Sequence, residues 1–325
     1  MLRYIFKRIL QIIPVLLITA ILIFTLMYFV PGDPVQIMMG DFQVSPEQMN
    51  EIRARLGLLD PFPVQLWHFL RDLVRLDFGT SYLRGSNVSA SLLERFPRTL
   101  TLASFGLLLI ALIGIPLGIV CALNAGKIVD RITMVLTLLL NSMPGFWLAL
   151  LLILLFAVKL KALPTKWSKN QWYSYILPII SCSIGSIASV CRITRASMLD
   201  VIRSDYVTTA RSKGLSERKI TFSHALPNAL IPVVTSLGHY FGFMLGGTMV
   251  VEAVYSIPGV GSYMVDGING RDYPIVRGCI VYLAFTHAVV TLLVDILYAF
   301  IDPRIKAQYV RKKREKEKTE AEAAV

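Results

Sequence analysis

Apolar residues in this chain gather in long blocks separated by short polar stretches, and the blocks are too long for the elements of a water-soluble core. The first covers residues 9–30. As a helix it reaches roughly 33 Å at 1.5 Å of rise per residue, enough to cross a hydrocarbon layer about 30 Å thick. Further blocks lie at 99–123, 132–158, 175–198, 229–255 and 278–301. Backbone polar groups inside lipid must be satisfied within the segment, so each block predicts a spanning helix and the whole an all-α bundle of about six. Arg3, Lys7 and Arg8 precede the first block, as in a signal peptide. The apolar region is too long for one, and Pro31-Gly32-Asp33-Pro34 follows it where a small-x-small cleavage site would stand, so a retained helix with its N-terminus inside is expected. In the third block, Asn141-Ser142-Met143-Pro144-Gly145 predicts a kink, because Pro144 removes a backbone hydrogen bond.

The polar stretches carry structure of their own. Between the first two spans, Ser45-Pro46-Glu47-Gln48 predicts a helix start with Ser45 at the N-cap, Pro46 at the first helical position and Gln48 closing a capping box. Gly57 stands where a left-handed C-terminal cap belongs. A second amphipathic piece, 64–76, brings Leu66, Trp67, Leu70, Leu73 and Val74 to one face. This segment is either a small helical cap on the bundle or a docking surface for an external partner. Between spans four and five, Ser204 is expected to cap a short helix through Lys213 with Tyr206, Val207 and Ala210 on one face, and Gly214 to end it with a positive φ. Ser216 is expected to cap the next helix, with Ile220, His224 and Ala225 at helical spacing, and Pro227 to break it at the membrane surface. The result is a rigid helix–turn–helix knob.

Composition agrees with the blocks. Of 325 residues 55% are hydrophobic and 17% charged, against about 25% charged in a soluble domain. The net charge of +12 has no nucleic-acid recognition module to go with it. It fits the cytoplasmic bias of Lys and Arg in membrane proteins. With both termini inside, inner segments hold 20 of the 33 Lys and Arg, eight of them in the tail after residue 303. Lys159, Lys161, Lys166 and Lys169 run against that bias in a short outer loop, where Trp167, Trp172 and Tyr173 are expected to anchor the membrane interface. Cys121, Cys182, Cys191 and Cys279 all lie in apolar runs without metal-ligand spacing and read as small buried side chains. The tail Arg311-Lys312-Lys313-Arg314-Glu315-Lys316-Glu317-Lys318 is a solvated charge run.

Several short motifs then carry a resemblance when taken in order. Tyr206-Val207-Thr208-Thr209-Ala210-Arg211-Ser212-Lys213-Gly214-Leu215-Ser216, followed by His224-Ala225-Leu226-Pro227-Asn228-Ala229, resembles the EAA loop of ATP-binding-cassette importer permeases. More narrowly the chain is similar to the dipeptide/oligopeptide/nickel permease family. Pro31-Gly32-Asp33-Pro34 follows span one, Leu76-Asp77-Phe78-Gly79-Thr80-Ser81 precedes span two, Glu252 through Gly261 (Glu-Ala-Val-Tyr-Ser-Ile-Pro-Gly-Val-Gly) follows span five, and Asp302-Pro303-Arg304 closes span six. Each is weak alone; their order and spacing are specific. The chain departs from the general loop pattern at Thr208 and Thr209, where Glu and Ala are usual, and at His224, where an aliphatic is usual.

The resemblance implies a type I importer permease fold with both termini cytoplasmic, in the inner (plasma) membrane of a bacterium or archaeon. It divides the chain into a first helix with an extracytoplasmic segment (1–98), a permease core (99–303) with the coupling loop at 204–228, and a basic cytoplasmic tail (304–325). It implies a second homologous permease, two cytoplasmic ATPases that bind ATP and Mg, and an external solute-binding protein, with no cofactor on this chain. Tyr206, Thr208, Thr209, Ala210, Arg211, Gly214, Leu226 and Pro227 would meet the ATPase, and Glu252, Pro258 and Gly259 would form an outer gate. The sequence has no G-x-x-x-x-G-K-[ST] phosphate loop, so ATP chemistry is assigned to partners and the chain is not expected to be an enzyme. The expected solute is a di- or oligopeptide, with nickel, glutathione or an oligosaccharide as alternatives; His68, His224, His239 and His287 form no local cluster of the kind nickel would favour. A self-sufficient secondary transporter would need inverted repeats and midplane charges, and a membrane enzyme a metal motif or nucleophile constellation; neither is apparent. His287 and Asp295 in the last block are read as an interhelical polar contact, and Gly238, Gly242 and Gly246, like Gly114 and Gly118, as close helix packing.

Overall fold

The computed structural model describes residues 2–39 and 45–301; the motif Asp302-Pro303-Arg304 and the tail 304–325 lie outside the described residues. Among the described residues the regular elements are all helices, and a single isolated β-bridge joins Thr80 and Asn87. Five helical stretches are long and apolar enough to cross a membrane: Arg8–Phe29, Val88–Leu123, Trp172–Ile202, Glu217–Gly247 and Tyr273–Ile296. A bent pair, Ile128–Ser142 and Gly145–Lys159, makes the sixth if counted as one span.

The bends differ from expectation in degree. The third span is interrupted outright: α6 (Ile128–Ser142) stops, and α7 (Gly145–Leu152) starts afresh from Pro144, whose carbonyl accepts from Leu148 N. The second span, α5 (Val88–Leu123), begins eleven residues before the expected position. Glu94, Arg95 and Arg98 end the apolar run there but not the helix, because backbone pairing is indifferent to side-chain polarity. The fifth span also breaks: α11 (Leu226–Gly247) gives way at Thr248 to α12 (Met249–Val254).

The chain packs as two compact units. In the first (1–109, 143–184, 241–288), α1 (Leu2–Phe29) and α4 (Phe62–Val74) meet the start of α14 (Tyr273–Ile301). Ala20, Ile23, Phe69, Leu70 and Leu73 pack with Val276 and Val281, and Phe24 stacks on Phe69 at 5.4 Å. The Arg277 guanidinium lies 5.1 Å from the Phe24 ring and 5.2 Å from that of Phe69, a cation held against two aromatic faces. Trp67 and Val74 of α4 are 66% and 85% exposed, so they do not share the packed face. The face that α1 selects is centred on Phe62, Phe69 and Leu73.

The motifs of the first 98 residues tie this segment down. Asp33 accepts from Val35 N and pairs with Arg53 of α3 (Pro46–Arg55), while Arg271 donates to the Pro31 carbonyl at 2.9 Å. Buried Asp272 accepts from Ser81 Oγ (2.6 Å) and Leu83 N (3.1 Å). The capping box of Ser45 and Gln48 forms in both directions. Gly57, at φ +67°, closes α3 with Leu58 N bonded to Arg53 O and its own N to Ala54 O, the double bond of a Schellman cap.

The end of α4 repeats that cap with the wrong residue. Asp77 N bonds Asp72 O and Leu76 N bonds Leu73 O, which puts Leu76 at φ +58° while its side chain stays 71% exposed. A left-handed leucine costs about 1 kcal/mol, and here little burial offsets it. Leu76→Gly is therefore expected to raise stability by about 0.5–1 kcal/mol, read as an increase in unfolding temperature in detergent.

In the second unit (110–142, 185–240 and the end of α14 from 289), α5 lies very close to α8 (Ile176–Ile202). A methyl added at Gly118 would sit 2.6 Å from Cys191 O, and one at Gly114 3.1 Å from Ile187 O, so the expected close packing holds for this pair. Gly238 is likewise filled by Val294. In the first unit Gly242 meets the His287 ring, whereas Gly246 faces open space and is not a packing residue. Cys121, Cys191 and Cys279 are buried and Cys182 half-buried. Trp167 packs inside the first unit against Tyr175, with its backbone N–H donating to Tyr255 O, and so is no interface anchor; Trp172 and Tyr173 are exposed.

Candidate functional site

The segment after α8 folds as a compact knob. Helix α9 (Asp205–Ser212) buries Val207 and Ala210 and exposes Tyr206, Thr208, Thr209 and Arg211. Gly214, at φ +77°, ends it: Gly214 N bonds Arg211 O at 2.9 Å and Leu215 N bonds Ala210 O at 3.4 Å. The chain then reverses into α10 (Glu217–Lys219) and a wide π turn, Ile220–Ala225, before α11. Ile220 folds back onto Val207 and Ala210 with Leu215 beside them, so two short helices share one small apolar core. Arg211 clamps the turn from outside, with Nε and Nη2 on the two Glu217 oxygens at 2.7 and 3.2 Å. A methyl group added at Gly214 would meet nothing within 4 Å; only its backbone conformation requires glycine.

Three local expectations are corrected. Ser204 and Ser216 have the extended backbone of N-caps but make no side-chain cap. The Ser204 hydroxyl donates instead to Val201 O at 2.6 Å, sealing the end of α8. Pro227 does not break the helix, because the π turn before it widens the backbone where proline lacks its donor, and α11 continues. In place of the usual loop glutamate, Thr208 and Thr209 return their hydroxyls to the carbonyls of Ser204 and Asp205.

The knob stands on a packed base in its own unit. Ala122, Met198, Ala225 and Ala229 interlock with Leu226 alongside, and Ser197 Oγ donates to Ala229 O at 2.8 Å. One strut escaped sequence reasoning. Asp130, 2% exposed near the start of α6, accepts from Arg195 Nε (2.5 Å) and Nη2 (2.7 Å) and from Gly126 N (2.8 Å). A bidentate pair joins α6 to the helix that carries the knob. The sequence signal was an acid two residues before an apolar run. Removing one partner leaves a poorly solvated charge, so Asp130→Ala is expected to lower stability by about 2–3 kcal/mol, and Asp130→Ala with Arg195→Met to recover most of it. Thermal unfolding of the two variants side by side measures the difference.

The other candidate group lies in the first unit. Glu252 is fully buried on α12. Its Oε1 accepts from Thr99 Oγ1 (2.7 Å) and Thr248 Oγ1 (3.2 Å), and its Oε2 from Ser262 N (2.9 Å). Thr99 in turn accepts from Val260 N at 3.0 Å. The carboxylate thus caps the first turn of α13 (Val260–Asn269), where free amides and the helix dipole favour negative charge. Gly259 is pressed against it: a β-carbon there would lie 2.4 Å from Oε2. Pro258 is half-buried beside this turn. No group of His, Cys, Asp and Glu suited to a metal occurs among the described residues.

Comparison with known proteins places this architecture. Residues 114–307 match the family described as "Binding-protein-dependent transport system inner membrane component", and residues 1–103 its N-terminal counterpart, "Binding-prot-dependent transport system membrane comp, N-term". The chain belongs to this family. It is a permease of an ATP-binding-cassette importer, of the peptide/nickel group. The permease is 39% identical over 306 residues to the glutathione transport system permease protein GsiC of Salmonella choleraesuis (strain SC-B67), covering 94% of this chain and 99% of that one. With GsiC of Escherichia coli (strain K12) the identity is 38% over the same length. Among solved structures it resembles a chain of the inward-facing MetNI methionine ABC transporter, with TM-score 0.56 and 17% identity over 65% of this chain and 96% of that one, a likeness of fold. The permease is therefore a multi-pass inner-membrane protein that works with a solute-binding protein and an ATPase.

Proposed function

We propose that the permease forms half of a translocation pathway for a peptide-like solute, paired with a second homologous permease and driven by two cytoplasmic ATPases. Glutathione is itself a tripeptide, and the high identity to permeases named for its transport makes it the first solute to try. In this reading the knob at 204–228 faces the cytoplasm with both termini. Tyr206, Thr208, Thr209 and Arg211 meet the ATPase, and Leu226 and Pro227 root the contact in α11. ATP and Mg bind the ATPases. The Glu252 turn, with Pro258 and Gly259, holds an outer closure. The observation that carries the coupling role is that the loop is rigid by construction: a shared apolar core, a left-handed glycine and an external ion pair hold one shape, as force transmission requires.

The test is ATP-dependent uptake by the permease reconstituted with its partner subunits and solute-binding protein, offered labelled glutathione, dipeptides and nickel. Accumulation of a peptide-like solute that stops without ATP is the expected result. Uptake of nickel alone would transfer the permease to the other branch of its family. Uphill transport by this polypeptide without partners would remove the coupling role altogether.

A further inference from the structure

Helix α4 is apolar over more of its circumference than its packing uses. Phe62, Phe69, Leu70 and Leu73 are spent on α1 and α14. On the other side Val64, Trp67 and Val74 recur at helical spacing, 40%, 66% and 85% exposed, and Leu76 follows at the cap, 71% exposed. Arg71 lies within this stripe, four residues after Trp67 and three before Val74, and is paired with Asp72 at 2.9 Å; Arg75 stands at the C-cap of the helix. A helix with apolar residues on both sides is either buried or in lipid.

The depth of α4 along α1 decides what covers it. The apolar run Arg8–Phe29 has 22 residues, about 33 Å of rise, which leaves almost no slack against a hydrocarbon core of about 30 Å. Phe29 therefore lies near one edge of the core. α4 does not sit beyond that edge: its Phe62 meets Tyr28 at 5.0 Å and Phe24 at 5.6 Å, and its Phe69 stacks on Phe24. Phe24 is five residues, about 7.5 Å of rise, inside the helix end. Amphipathic helices lying in a membrane surface sink about 5–10 Å. On the same stretch of α1, Leu22, Leu26 and Phe29 are bare, as lipid-facing residues are.

We propose that α4 is an interfacial helix, with Val64, Trp67 and Val74 inserted among the lipid chains and Arg71 and Arg75 reaching to the headgroups. The stripe is then a lipid contact that continues the bilayer face of α1, and α4 fixes how deep the N-terminal segment rides. Trp67 supplies the amphipathic ring that membrane interfaces favour.

The test uses the full permease in lipid nanodiscs with Trp147, Trp167 and Trp172 changed to Phe, so that Trp67 alone emits. Phosphatidylcholine brominated near the headgroup end of its chains is expected to remove most of the emission, while aqueous iodide leaves it nearly unchanged. Quenching by iodide with none by brominated lipid would overturn the proposal. So would protection from iodide that appears only when the solute-binding protein is added, since the stripe would then be a protein-docking face. A nitroxide on Val74→Cys with the native tryptophans kept gives an independent reading. Collisions with oxygen should exceed those with a water-soluble nickel chelate, and the reverse order contradicts lipid insertion.

Discussion

Gly214→Val is expected to abolish most solute uptake while the permease still inserts and its partners still hydrolyse ATP. The reason is conformational. Glycine holds φ +77° at this turn, and a β-branched side chain there costs about 1–2 kcal/mol or more. The space around Gly214 is open, so the penalty is not a clash. To escape it the turn must change φ, which breaks the pairing of Leu215 N with Ala210 O and pulls Ile220 off Val207. The knob would remain attached but lose its fixed shape. Gly214→Asn separates this from a simple size effect, because asparagine tolerates the left-handed region and has room: it should retain most of the transport. Measuring uptake and ATPase rate on both variants in proteoliposomes checks the pair. Equal transport by the two would mean that the cap does not matter.

Glu252→Ala is expected to be the most destabilising single change outside the knob, at about 3 kcal/mol, because it strands several buried donors at once. Thr99 Oγ1, Thr248 Oγ1 and Ser262 N would lose their acceptor together, and the turn from Ser256 to Gly261 would lose its anchor. Glu252→Gln should fall between, since its amide oxygen restores one acceptor while its amino group opposes a donor. Gly259→Ala attacks the same contact from the other side, pushing a methyl into the carboxylate. Thermal unfolding in detergent ranks the three. If Glu252→Ala melts with the parent, the carboxylate is not the keystone of this turn.

What could be read from the sequence was local. The Ser45/Gln48 capping box, the glycine caps at 57 and 214, and the place of the bend at Pro144, expected as a kink and found as a break, each depend on a handful of neighbouring residues. The knob was legible for the same reason, although its serines proved not to be side-chain caps. Long-range pairing was hidden. Nothing near Asp130 announces Arg195, 65 residues away, and nothing near Glu252 announces Thr99, 153 away. The face of α4 was misjudged because periodicity finds an apolar arc but cannot say which part a neighbour will cover; α1 took Phe62 and Phe69 and left Trp67 and Val74 bare. The family motifs before span two make physical sense only in three dimensions, where Asp33 and Asp272 gather the ends of the segment.

The most direct measurement of the coupling role is site-specific photo-crosslinking from the exposed face of α9. A benzophenone amino acid at Thr208, in the permease assembled with its partners in membranes, should crosslink to the ATPase subunit, and the yield should change between nucleotide-free and ATP-trapped states. The same probe crosslinking instead to the solute-binding protein, or being labelled by an impermeant reagent from outside the cell, would put the knob on the wrong side of the membrane.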